Sequence, residues 1–304
     1  MEATIESQNQ KIELPLLKKK EVSLFIKRED AIHPNISGNK YRKLKYNLIA
    51  ARNQNHKTLL TFGGAYSNHV LATACAGNEN GFHTIGVIRG NELKHSWQDN
   101  PTLHKAHSFG MRFHFVDRET YRNKEDSAFI AMLNTKFGKF YLLPEGGTNI
   151  LAIKGCEEIL TAKDVDFDFI CCSVGTGATV SGVINASKAN QKVIGFSALK
   201  GDFIEKEVSN FTNKTNWQLE ATFHFGGYAK VNGQLVNFIN DFKKNTGVAL
   251  DPIYTGKMMY GIIDYIKNDR FAPKSNILVI HTGGLQGIKG MNLVLNKKNL
   301  PSIL

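Results

Sequence analysis

The feature that most constrains this chain is an alternation. Apolar runs of four to eight residues recur along it, separated by longer stretches of helical period. The spacing predicts strands over 22–27, 58–62, 84–88, 112–116, 140–143, 167–173, 193–197 and 276–281. It predicts helices over 39–51, 67–80, 101–109, 126–137, 150–163, 179–189, 234–244 and 255–267. In the first helix Tyr41, Leu44 and Leu48 fall at i, i+3 and i+7 and so share one face. Strands separated by helices of this length imply βαβ crossovers, hence an α/β fold of open, largely parallel sheets.

Glycines mark where strands hand over to helices: Gly63-Gly64, Gly146-Gly147, Gly175 with Gly177, and Gly283-Gly284. In open α/β sheets ligands gather at the carboxyl ends of strands, so these turns are expected to build one site from several loops. With 304 residues the chain is long enough for two domains. Its 38 basic and 27 acidic residues leave a net charge of +11, but the basic residues are scattered among acids. No basic stripe interleaved with aromatics occurs, so a nucleic-acid partner is not expected. No apolar run is long enough to span a membrane. Charges throughout residues 1–20 argue against a secretory leader, so a cytoplasmic location is expected. Cys75, Cys156, Cys171 and Cys172 form no C-x-x-C pair and read as reduced, buried thiols.

Three segments carry chemistry. In Ser37-Gly38-Asn39-Lys40-Tyr41-Arg42-Lys43-Leu44, Gly38-Asn39 reads as a turn and Lys40 falls in the first helical turn. The positive end of the helix dipole disfavours another cation there, which tends to lower the amine pKa and favour attack on a carbonyl. Lys43, one turn on, could meet a phosphate; a solvated basic helix start is the other reading. In Gly63-Gly64-Ala65-Tyr66-Ser67-Asn68-His69, Ser67 and Asn68 start a helix, either as an anion site or as a simple cap. In Val174-Gly175-Thr176-Gly177-Ala178-Thr179, successive amides and two hydroxyls make a nest for one phosphate, or a plain tight turn. This loop lacks both G-x-G-x-x-G and G-K-[ST], which disfavours a dinucleotide or a nucleoside triphosphate. His104 and His107 lack a third ligand at a fitting spacing, so no metal is expected.

In Ile280-His281-Thr282-Gly283-Gly284, Thr282 offers a neutral hydroxyl at a strand end. A reactive lysine, a monophosphate nest and such a neutral hydroxyl are what pyridoxal phosphate needs. From about Leu24 to Gly284 the chain resembles the pyridoxal-phosphate enzymes that include D-cysteine desulfhydrase and 1-aminocyclopropane-1-carboxylate deaminase. The resemblance rests on K-R-E-D, G-N-K-x-R-K-L, G-G-x-x-S-N, P-E-G-G, the G-T-G loop, D-P-x-Y-x-G-K and H-T-G-G in this order. It implies the two-domain, fold type II architecture of the tryptophan synthase β-like enzymes. Lys40 would hold the cofactor covalently, and Asn68 would meet its ring hydroxyl. Ser67 would anchor the substrate carboxylate. Val174, Gly175, Thr176, Gly177, Ala178 and Thr179, with Lys43, would bind the phosphate. Tyr254 and Tyr228 would line the substrate side as acid/base or positioning groups, and Thr282 would face the pyridine nitrogen.

The deaminase pattern has Glu after the tyrosine of D-P-x-Y; here that residue is Thr255. A neutral hydroxyl beside the ring nitrogen gives a weaker electron sink, adequate when a β-thiolate can leave. The resemblance therefore implies conversion of D-cysteine to pyruvate, sulfide and ammonia. Alternatives are deamination of 1-aminocyclopropane-1-carboxylate to 2-oxobutanoate and a non-catalytic cofactor-binding protein. The chain departs from the family pattern at Tyr66 (for Gln), Leu71 (for Arg), Ala229-Lys230-Val231-Asn232 after Tyr228, and Ser37 before Gly38. The expected partners are a small amino acid and a second copy of the chain. The smaller domain is expected over 41–147, inserted into a larger one made of 1–40 and 148–304.

Overall fold

The computed structural model describes residues 5–36, 38–201 and 203–304, so Ser37 lies outside the described residues. Two sheets organise them. The larger has the order β1 (Asn9–Ile12), β2 (Ser23–Lys27), β10 (Asn276–Ile280), β7 (Phe169–Val174), β8 (Lys192–Ser197) and β9 (Trp217–Glu220). Only the β1–β2 pairing in it is antiparallel. The smaller has the order β5 (Arg112–Val116), β4 (His83–Arg89), β3 (Thr58–Gly64) and β6 (Tyr141–Leu143), all parallel.

The α-helices run in chain order as α1 (Pro15–Lys19), α2 (Asn39–Asn53), α3 (Asn68–Glu79), α4 (Pro101–Ser108), α5 (Arg118–Arg122) and α6 (Ser127–Phe137). They continue as α7 (Ile150–Glu157), α8 (Ala178–Ala186), α9 (Phe203–Ser209), α10 (Gly233–Thr246), α11 (Thr255–Lys267) and α12 (Gly287–Asn296).

The larger sheet is covered on both faces, which is why its central strands read as unbroken apolar runs. Ile277 and Val279 of β10 join one core with α10 and α11. Leu278 and Ile280, pointing the other way, join a second core with Val180, Val183 and Ile184 of α8. Strands β1 and β9 pair on one side only and mix polar with apolar residues, so they carry too little apolar signal to be anticipated. The helix expected over 150–163 stops at Glu157. Downstream, Thr161 and Asp164 form a reciprocal cap. The Asp164 carboxylate then reaches Lys27 Nζ at 2.8 Å in a buried ion pair, which a continued helix would carry away.

One packing detail places the chemistry. Arg42 is 1% exposed and grips buried Glu29 with two bonds, Nε to Oε2 at 2.9 Å and Nη2 to Oε1 at 2.8 Å. Glu29 belongs to K-R-E-D and Arg42 to G-N-K-x-R-K-L, so the two motifs are halves of one fastening. The Gly38 N–H donates to the Glu29 carbonyl at 3.0 Å, and Gly38 has φ +64°. A Cβ there would lie 2.0 Å from the Thr282 carbonyl oxygen, so only glycine lets the start of α2 meet the end of β10.

Candidate active site

A cleft of about 580 Å³ opens where the carboxyl ends of β3, β7 and β10 and the start of α2 converge. Lys40, Lys43, Ser67, Asn68, Val174, Gly175, Thr176, Gly177, Thr179, Tyr228, Tyr254 and Thr282 all line it. Ala178 does not; its side chain is fully buried at the start of α8, behind the loop.

Lys40 Nζ donates to the Asn39 side chain at 3.1 Å. Burial, reinforced by the nearby Lys43 charge, pulls its amine from the usual lysine range down to about 7. Lys43 is buried, donates to the Gly146 carbonyl at 3.1 Å, and is also shifted downward by burial. Ser67 is the cap of α3, its hydroxyl accepting from Val70 N at 3.3 Å, and it lines the cleft.

The G-T-G loop ends in Gly177, which caps α8 without a side-chain hydrogen bond, leaving the first helical amides to whatever anion enters. Asn39 Nδ2 donates to Thr179 Oγ1 at 2.8 Å, tying this loop to the start of α2. Gly175 lies close against Tyr254, where a Cβ would stand 3.0 Å from Cε1. Burial, then the Tyr228 hydroxyl, holds the Tyr254 phenol well above the tyrosine range. The two rings lie 6.3 Å apart. Thr282 Oγ1 and Ser173 Oγ, buried at the ends of β10 and β7, are 3.0 Å apart.

Thr255 does not line the cleft. Its hydroxyl and N–H both donate to Asp251 Oδ1 at 2.7 Å, and it is fully buried behind Tyr254. Asp251 Oδ2 accepts the N–H groups of Ile253 and Tyr254 at 2.9 and 3.0 Å, so the Asp of D-P-x-Y sets the tyrosine. Thr282 and Ser173, unlike Thr255, line the cleft and form its buried hydroxyl pair. Leu71 faces away, in a core beneath α3.

Sequence reasoning gave no role to several cleft residues. Tyr66 packs its ring over Gly290 of α12. Arg89 lies at the mouth beside Gly64, its guanidinium 5.6 Å from the Tyr121 ring. Glu145, in P-E-G-G, accepts the Tyr121 hydroxyl at 2.8 Å. His69 is buried with neither ring nitrogen hydrogen-bonded, and burial, followed by the Lys40 charge, keeps it neutral. Its position directly after Ser67-Asn68 was the available signal. The H-x-x-H pair is engaged elsewhere: His104 with the Gln98 carbonyl, His107 against Trp97.

A sequence family described as "Pyridoxal-phosphate dependent enzyme" matches residues 4–283. The chain belongs to this family. An Arabidopsis thaliana mitochondrial protein, named bifunctional D-cysteine desulfhydrase/1-aminocyclopropane-1-carboxylate deaminase, is 32% identical over 87% of this chain and 73% of its own length. A solved structure described as an ACC deaminase homologue superposes with a TM-score of 0.79 at 26% identity, covering 93% of this chain and 90% of that one. The processed form of threonine deaminase isoform 2 from Solanum lycopersicum shares the fold, with a TM-score of 0.66 at 18% identity over 95% of this chain and 84% of that one. The fold type II architecture expected from the motifs is thus the one observed.

The cleft of this pyridoxal-phosphate-dependent enzyme fits its cofactor. It offers one primary amine made nucleophilic by burial, an uncapped helix start for a phosphate, and a buried acceptor, Asn68 Oδ1, left without a partner. Among the described residues no helix is long and apolar enough to cross a membrane.

Proposed function

We propose that the enzyme eliminates or deaminates a small amino acid, and that D-cysteine, taken with one water to pyruvate, sulfide and ammonia, is its substrate. The Thr282–Ser173 hydroxyl pair at the end of β10 and β7 carries this reading. A neutral pair there suits a substrate whose own β-substituent leaves readily. The Arabidopsis relative's name covers two activities, which makes 1-aminocyclopropane-1-carboxylate the second substrate to test.

Bound pyridoxal phosphate supplies the electron sink for the pair released when a bond to the substrate Cα breaks. The chain's residues do the rest. Lys40 holds the cofactor, and its amine, poised near neutrality, accepts and returns a proton on one side of the cleft. Lys43 and the 174–179 loop hold the phosphate, with the amides at the start of α8 meeting its negative charge. Asn68 orients the ring through its unpartnered oxygen. Ser67, at the start of α3, fixes the substrate carboxylate. Tyr254 keeps its proton at Oη because burial disfavours the phenolate, and donates it toward the departing group. Tyr228 closes over it. Under the same proposal, residues 41–147 form an inserted unit, the working form is a homodimer, and the enzyme is cytoplasmic.

Sulfide and pyruvate release from D-cysteine by the cofactor-loaded protein tests the reading, with borohydride trapping and peptide mapping expected to place the cofactor on Lys40. Formation of 2-oxobutanoate from 1-aminocyclopropane-1-carboxylate without sulfide from D-cysteine would overturn the substrate assignment.

A further inference from the structure

We propose that Lys257 is a positioning residue: it clamps the 224–227 turn so that Tyr228 stays poised over Tyr254. The inference rests on the role given to Tyr228 above, but its first test does not. Lys257 is 2% exposed, and its Nζ donates to two backbone carbonyls, His224 at 2.9 Å and Gly227 at 2.8 Å. It stands three residues after Tyr254, one turn along α11. The lysine closing D-P-x-Y-x-G-K therefore ties the helix start that presents one tyrosine to the turn that presents the other.

The turn needs a tie. Phe223 and Phe225 anchor its entry, with ring centroids 6.2 and 5.0 Å from that of Tyr260. Beyond them Phe225 and Ala229 both have positive φ, +52° and +55°, a conformation disfavoured for residues with side chains. Tyr228 is 52% exposed, with its ring 6.3 Å from that of Tyr254, so little other packing holds it. Gly227 is buried, and its carbonyl takes the Lys257 bond together with one from Lys230 N at 3.2 Å. An ammonium donating to two carbonyls makes charge-assisted bonds, roughly twice as strong as neutral ones. Burial pulls the amine down to about 8, against the pull of Asp251, so it remains largely protonated near pH 7.

Lys257→Met removes both bonds with little change of volume, and Lys257→Gln is the second variant. Hydrogen exchange of the cofactor-loaded protein without amino acid is read first. Amides of 226–231 are expected to exchange at least about 10-fold faster in both variants, with α11 and the larger sheet unchanged. With substrate, kcat/KM is expected to fall about 10-fold at unchanged cofactor loading. Adding Lys257→Met to Tyr228→Phe is expected to lower it no further than Tyr228→Phe does alone. Unchanged exchange in 226–231, losses that multiply in the double variant, or protection lost throughout the fold would each overturn the proposal. A wild-type chain that turns over no amino acid would sink the proposed function, while the exchange comparison would still judge the clamp.

Discussion

The two walls of the cleft are built on different terms. One, made from the starts of α2 and α8 and the end of β10, is packed to the limit. Gly38 has no room for a methyl group, Gly175 packs closely against Tyr254, and Arg42 with Glu29 is buried. The other wall carries Tyr66, Arg89, Glu145 and Tyr228, all partly or largely exposed, at the end of β4 and on the segments that follow β3, β6 and β9. The departures from the family pattern at Tyr66 and after Tyr228 fall on this second wall. Under the proposed function, the tightly packed wall is the one that would hold the cofactor and the more exposed wall the one that would face the substrate.

The largest effect expected belongs to the tightly packed wall. Lys40→Ala should lose on the order of 10³- to 10⁴-fold in kcat together with the visible absorbance of the bound cofactor. An absorbance spectrum that survives the substitution would break the contrast at its centre. Next comes Tyr254→Phe, which keeps the ring against Gly175 but removes the proton; kcat should fall about 10²-fold at unchanged thermal stability.

The lowered Lys40 amine predicts a pH profile for aldehyde capture by the cofactor-free protein. Below its value of about 7 the neutral, nucleophilic fraction grows with pH, and above it that fraction is complete. The rate of covalent pyridoxal phosphate uptake should rise about tenfold per pH unit up to pH ~7 and then level, whereas an ordinary lysine would keep rising towards ~10.4. Gly38→Ala forces Cβ into the Thr282 carbonyl at a positive φ and should destabilise by about 1–3 kcal/mol or more, read as a lower denaturation midpoint. The smallest change is expected on the more exposed wall. Arg89→Gln should shift KM by about tenfold or less while stability stays within about 0.5 kcal/mol. A stability loss there as large as at Gly38 would erase the distinction.

Much of this was legible in the residues. The buried strands announce themselves as apolar runs because both faces of a parallel sheet are covered, and β5 runs over 112–116 as expected. The glycines at strand ends marked the loops that meet at the cleft. Edge strands β1 and β9 were not legible, since one-sided pairing leaves no apolar pattern to read. Nor was the pairing of Glu29 with Arg42 or the grip of Lys257 on two carbonyls, because both join different elements that meet only through the fold. Thr255 shows the limit most clearly. Its place beside Tyr254 suggested a cleft residue, yet a single turn of backbone points it at Asp251.

The sequence by itself determined the fold class, the family and the loops that surround the cleft, because periodicity, motif order and turn residues are local properties. Only the tertiary structure decided which hydroxyls face the cleft, how far burial lowers each lysine and which carbonyls Lys257 meets. Burial and approach distance set those roles, and both are fixed by elements that meet only when the chain folds.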